Sequence, residues 1–134
     1  SLTKEEFRTK WIEALKSGRF KKGKDRLCTV NQSDVNQYCC LGVLCEVYIE
    51  NGGKLDRISK DGCMLYKDNV NLNTLYVPFE VKKAIDLDVN NGEFIKDGQK
   101  QWLTSINDKS ESFKEVIDIL ENPPEGLYKK ENDE

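Results

Sequence analysis

Apolar side chains recur at helical spacing in four blocks of the chain. Phe7, Trp11, Ala14 and Leu15, with Ile12 beside them, predict an amphipathic helix over 4–17. Thr3-Lys4-Glu5-Glu6 reads as a capping box, and Gly18 stops the helix where left-handed backbone is needed. The block from Tyr38 to Ile49 is the most apolar in the chain and predicts a buried helix over 39–50, ended by Asn51-Gly52-Gly53. A strand stays open for its first half, because short apolar runs are ambiguous, and Gly42 allows a neighbour to approach closely. Pro78 is expected to open a third helix over 78–86, with Phe79, Val81, Ala84 and Ile85 as its apolar positions. Ser112 and Glu115 repeat the capping-box pattern, and Phe113, Val116, Ile117 and Leu120 follow in a helix over 112–121. Gln99–Asn107 fits a shorter helix with Trp102, Leu103 and Ile106 inward.

Strand signals are short. Cys63–Lys67 and Thr74–Val77 predict two strands joined by the polar loop Asp68–Asn73, and Glu93–Lys96 a third. Residues 31–37 read as a polar loop. The expected fold is α+β: a compact, mostly helical single domain over 1–122 with a small β element of two or three short strands. The core should include Trp11, Leu15, Leu41, Leu44, Tyr48, Trp102, Ile106, Phe113, Ile117 and Leu120. Residues 123–134 read as a polar C-terminal tail, since Leu127-Tyr128 is its one apolar pair and too little to offset ordering entropy.

A length of 134 residues suits one domain able to bury a core without staples, and no run approaches the roughly 18 apolar residues of a membrane span. Charge refines the picture more than length does. The net charge of −3 argues against a protein that coats nucleic acid. It is unevenly spread: residues 1–26 carry nine Lys/Arg against four acids, and residues 103–134 four Lys against nine acids. The basic end favours an anionic partner.

The basic end contains the candidate site. Arg19, Lys21, Lys22, Lys24 and Arg26 surround Gly23, with Phe20 in the run. Cations supply a field for phosphate, a glycine lets backbone N–H groups come close, and an aromatic ring offers a stacking face. The spacing is not that of a P-loop. A solvated cationic surface is the competing reading.

Histidine is absent, which removes Ser-His-Asp and Cys-His catalysis and imidazole metal sites. Cys28, Cys39, Cys40, Cys45 and Cys63 lack the spacing of a structural zinc site, and no signal peptide accompanies them, so free reduced thiols in a cytoplasmic protein are expected. A helix-turn-helix is disfavoured because the second of the closing helices, SFKEVIDILE, is acidic and would be repelled by phosphate.

The motifs that run from Trp11 to Leu27, from Tyr38 to Cys45, over Leu75–Pro78 and from Leu103 to Glu121 together resemble those of a family of small hypothetical proteins of tailed phages and prophages. The resemblance rests on Trp11-x-x-Ala14-Leu15-x-Ser17-Gly18-x-Phe20-x-x-Gly23-Lys24 with Leu27, on Tyr38-Cys39-Cys40-Leu41-Gly42-Val43-Leu44-Cys45, and on Leu75–Pro78. It closes with Leu103-x-Ser105-Ile106-Asn107-Asp108 and Ser112-Phe113-x-Glu115-Val116-Ile117 through Glu121. Lys109-Ser110 depart from it, standing where a glycine-containing turn is expected. It implies a phage or prophage origin and the bacterial host's cytoplasm, and it assigns no activity to any residue.

These readings combine into an expectation of a non-catalytic, cofactor-free accessory protein that sequesters a small phosphate-bearing ligand, of cyclic-nucleotide or ADP-ribose type, as a means of evading host defence. Arg19, Phe20, Lys22, Gly23, Lys24, Arg26, Tyr38, Asn107 and Asp108 are its expected ligand-binding residues. Inhibition of a host protein and binding to nucleic acid are the alternatives, with room for a homo-oligomer and none for a membrane.

Overall fold

A computed structural model describes residues 2–69, 72–73 and 75–130. In chain order the elements are α1 (Lys4–Lys16), β1 (Cys28–Val30), β2 (Asn36–Tyr38), α2 (Cys40–Glu50), β3 (Asp56–Lys60), β4 (Cys63–Lys67) and β5 (Leu72–Asn73). They continue with α3 (Phe79–Ile85), β6 (Glu93–Lys96), β7 (Gln99–Trp102), α4 (Leu103–Lys109) and α5 (Lys114–Glu121).

The α+β class holds, and the expectation of a mostly helical domain does not. Seven strands among the described residues form two antiparallel sheets, one ordered β2-β1-β4-β3 with β5 paired to β4, the other a β6-β7 hairpin. β2 begins inside the polar loop expected over 31–37, and β1 lies just before that loop, where no element was predicted, because strands as short as CTV and NQY show too little alternation to be seen in sequence. Asp61-Gly62 and Asp97-Gly98 both have positive φ (51°, 76° and 53°, 75°) and close tight hairpins, the turn chemistry that matches strand twist. The second turn also overrides the helix expected over 99–107. It pairs Gln99–Trp102 with Glu93–Lys96, and helix starts only at Leu103. Trp102 is consequently half-buried, donating from Nε1 to Glu93 Oε1 at 3.1 Å, rather than core.

Thr3 and Glu6 form the expected capping box of α1. The expected box at Ser112 does not form. α5 starts two residues later at Lys114, and Glu115 instead meets Ser110 Oγ at 2.9 Å. The strand expected over Thr74–Val77 is not one at residues 75–77, and Thr74 lies outside the described residues.

α2 is the buried axis, with Cys40 to Val47 all buried. Trp11 reaches it from α1, donating from Nε1 to the Cys40 carbonyl at 2.8 Å, which leaves a large buried ring without an unpaired polar atom. On the sheet side, Glu46 accepts from Arg57 Nε (3.0 Å), Arg57 Nη2 (2.7 Å) and the Tyr66 hydroxyl (2.6 Å), so a buried carboxylate has donors on both oxygens.

The expected polar tail is corrected. Leu127 is fully buried in the core, and backbone bonds run from Ile95 N to Glu125 O (2.7 Å), Asp88 N to Leu127 O (2.9 Å) and Lys129 N to Asp86 O (2.8 Å). The Arg8 guanidinium lies 3.7 Å from the Tyr128 ring centroid. One apolar pair suffices because main-chain pairing and a cation over the ring accompany its burial.

Candidate functional site: the basic loop and the cleft beside it

The loop after α1 is stitched to β2. Tyr38 N donates to Lys21 O and Gly23 N to Tyr38 O, both at 2.7 Å. A β-carbon on Gly23 would stand 2.9 Å from Gln37 Cβ, so glycine is needed here for strand approach. Its N–H is already spent on Tyr38 and is not aimed at a ligand. Phe20 packs edge-on against Tyr38, ring centroids 5.1 Å apart.

Arg19 is engaged elsewhere. Its two terminal nitrogens reach the Glu50 carboxylate at 2.9 and 3.2 Å, and that hydrogen bonding raises the guanidinium pKa and lowers the carboxyl's.

Asn107 and Asp108 lie alongside the loop, yet Asn107 is fully buried and occupied. Its Oδ1 accepts from Cys40 N at 3.1 Å, one of the amides that open α2, while Nδ2 donates to Gly23 O at 3.1 Å and Asp108 Oδ1 at 3.2 Å. Asp108 Oδ1 also accepts from Asp25 N at 3.1 Å, holding Asp25 in left-handed backbone (φ 70°). Of the nine expected residues, Arg19, Phe20, Gly23, Tyr38 and Asn107 therefore build the loop.

Of the other four, Asp108 holds Asp25 and Lys22 is half-buried, which leaves Lys24 and Arg26. Both are exposed, and among the described residues neither has a carboxylate partner; Arg26 Nη1 reaches only the Asp25 carbonyl, at 3.3 Å. Lys22, half-buried, reaches the Gly23 carbonyl at 3.4 Å. Arg26 borders a cleft of about 170 Å³ with Asp25, Cys39, Leu75, Tyr76, Thr104 and Asp108. Tyr76, which lines this cleft, is 41% exposed. Tyr76 and Thr104 were missed because they lie about 50 and 80 residues from Arg26 in a chain that gives no spacing signal between them.

Cys39 is buried, its Sγ accepts from Gly42 N at 3.4 Å, and burial pushes its pKa up to about 12. Among the described residues no three His, Cys, Asp or Glu side chains are placed to hold a metal ion, and no helix is long and apolar enough to cross a membrane. A second, more open groove of about 590 Å³ runs between the end of α1 and α5, floored by Leu15, Phe20, Phe113 and Ile117.

Fold and cleft define a small α+β domain with a mixed-charge surface site. Residues 3–123 match the model of a domain of unknown function, DUF8296, and the chain belongs to that family. Neither the curated proteins nor the solved structures provide a match.

Proposed function

We propose that the protein captures a small phosphate-bearing ligand of nucleotide type, without transforming it, in the cleft between the loop end at Asp25-Arg26 and the segment Leu75-Tyr76. The observation that carries this is Arg26, a guanidinium without a carboxylate partner among the described residues, on the rim of a cleft that also presents Tyr76. Arg26 and Lys24 pair with phosphate oxygens, Tyr76 stacks on a base, and Thr104 with Asp25 and Asp108 meets the donors of a sugar or base. Two carboxylates beside the cations disfavour a polyphosphate or a nucleic-acid backbone and suit a ligand bearing both charge and hydrogen-bond donors. At about 170 Å³ the cleft is below the roughly 300–1,000 Å³ of pockets that enclose whole ligands, so it grips one end of the molecule. The resemblance to small phage and prophage proteins gives such capture a setting: removal of a nucleotide signal inside a bacterial host's cytoplasm.

One specific observation favours a host protein as the alternative target. Leu75, Tyr76 and Phe79 are exposed (38%, 41% and 45%) within five residues, an apolar strip suited to a protein partner.

A thermal-shift screen against linear and cyclic nucleotides and ADP-ribose tests the reading. A ligand at about 100 times its Kd adds about 2.7 kcal/mol of stability. Lys24→Ala with Arg26→Ala should weaken binding roughly a hundredfold or more, at about 1.5–3 kcal/mol per charged hydrogen bond, and leave the melting temperature alone. If none of these ligands raises the melting temperature, or the double variant binds as tightly as the parent, the reading is wrong and the apolar strip becomes the site to pursue.

A further inference from the structure

β3 is the terminal strand of the larger sheet, and all five of its residues, Asp56 to Lys60, are exposed. Its pairing fixes which backbone groups are free. The two-residue turn Asp61-Gly62 makes Lys60 and Cys63 a hydrogen-bonded pair, and the alternation then makes Ile58↔Leu65 and Asp56↔Lys67 the next two. The N–H and C=O groups of Arg57 and Ser59 point the other way, off the sheet, and make no backbone bond among the described residues beyond that ladder.

We infer that this edge pairs antiparallel with β3 of a second copy, in the register centred on Ile58. That register sets Arg57 opposite Ser59 of the second copy, and Ser59 opposite its Arg57, so both outward-facing residues of each strand form hydrogen-bonded pairs. Ile58, 38% exposed, then meets its own counterpart across the two-fold axis. Asp56 and Lys60 share the face of Ile58, and each falls opposite the other's counterpart, giving two cross-strand ion pairs. Centring on Arg57 would instead oppose two arginines and set Ile58 against Asp56, and centring on Ser59 would set Ile58 against Lys60. Shifting by a single residue would put an outward amide opposite one already bonded to β4 and swap the faces.

Charges on an edge strand normally repel addition of another strand. Here they select one partner, because DRISK is charge-complementary to itself when reversed. The edge is also held in shape: Arg57 is bound at both Nε and Nη2 by Glu46, so its charge is directed inward to α2. A two-fold pair of this kind is self-closing and leaves no free β3 edge to propagate.

Sedimentation velocity across a concentration series, on the full chain, tests the inference. The parent should show a reversible monomer–dimer equilibrium. Asp56→Lys alone and Lys60→Asp alone should each weaken it about tenfold or more, since each turns both ion pairs into like-charge pairs. An equimolar mixture of the two variants should regain the dimer, because the two β3 strands are then complementary. Ser59→Pro, which removes an outward N–H and no bond to β4, should be monomeric with a parent-like melting temperature. A parent that stays monomeric to millimolar concentration overturns the inference, as does a dimer unaffected by the charge variants or a mixture that fails to recover.

Discussion

A β-carbon on Gly42 would stand 1.8 Å from the carbonyl oxygen of Leu27, an overlap with main chain that no rotamer relieves. The buried helix α2 is seated directly on the backbone that leads from the basic loop into β1. Gly42→Ala should therefore destabilise the fold by about 3 kcal/mol or more, although alanine in a helix interior is worth about 1 kcal/mol over glycine. Urea titration checks it. A variant as stable as the parent would mean that α2 does not lie against Leu27.

Asn107 gives a second test, one that separates structural from ligand-reading roles. Asn107→Ala leaves the Cys40 amide and the Gly23 carbonyl without this partner, at about 1–3 kcal/mol each. Asn107→Asp keeps the acceptor for Cys40 but turns an oxygen toward Gly23 O and Asp108 Oδ1, and should also destabilise. A residue that only reads ligand would lose binding in both variants and keep the parent melting temperature.

The segment after Pro124 belongs to the fold. Leu127→Ala should cost about 2–5 kcal/mol, the range for a buried leucine. Deleting residues from 125 onward should lower the melting temperature without changing the size on a column, because the segment docks on its own domain. Unchanged melting would restore the polar-tail reading.

The buried thiols make the fold sensitive to alkali. Burial raises Cys28 to about 11 and Cys39 to about 12, and raises Cys40 and Cys45 well above the ordinary value. Each thiol stays protonated in the folded state while the unfolded chain ionises near pH 8.5–9, so stability is full below that pH. It is lost as pH rises, by about 1.4 kcal/mol per pH unit per thiol and about 5 for four, until the folded pKa is passed. Denaturant midpoints from pH 7 to 10 should fall steeply above 9, and Cys45→Ala should flatten the slope while lowering the midpoint at pH 7. A flat profile through pH 10 contradicts this.

How much of this was legible in sequence follows element length and the distance between partners. α1 with its capping box, α2, β4 and β6 were visible because each carries its own local pattern. β1 and β2 were not, since three residues cannot display a period, and β7 was hidden because QKQW has no alternation and only the Asp97-Gly98 turn directs it back onto β6. The cationic run was evident, but which cations remain unpaired was not. Arg19 finds Glu50 31 residues away, and Gly23 finds Asn107 84 residues away, pairings that sequence spacing does not encode. The polar Leu127-Tyr128 segment misled for a related reason: its partners Asp86, Asp88 and Ile95 supply the main-chain bonds.

The central claim is that ligand binds at the cleft and that most of the basic loop only builds it. The most direct measurement is a ¹H–¹⁵N NMR titration of the full chain with a nucleoside monophosphate and then a cyclic dinucleotide. Saturable shifts are predicted at the amides of Asp25, Arg26, Tyr76, Thr104 and Asp108, with Arg19, Phe20 and the Asp61-Gly62 turn unmoved. Shifts centred on Arg19 and Phe20, or none at any of these residues up to millimolar ligand, would contradict it.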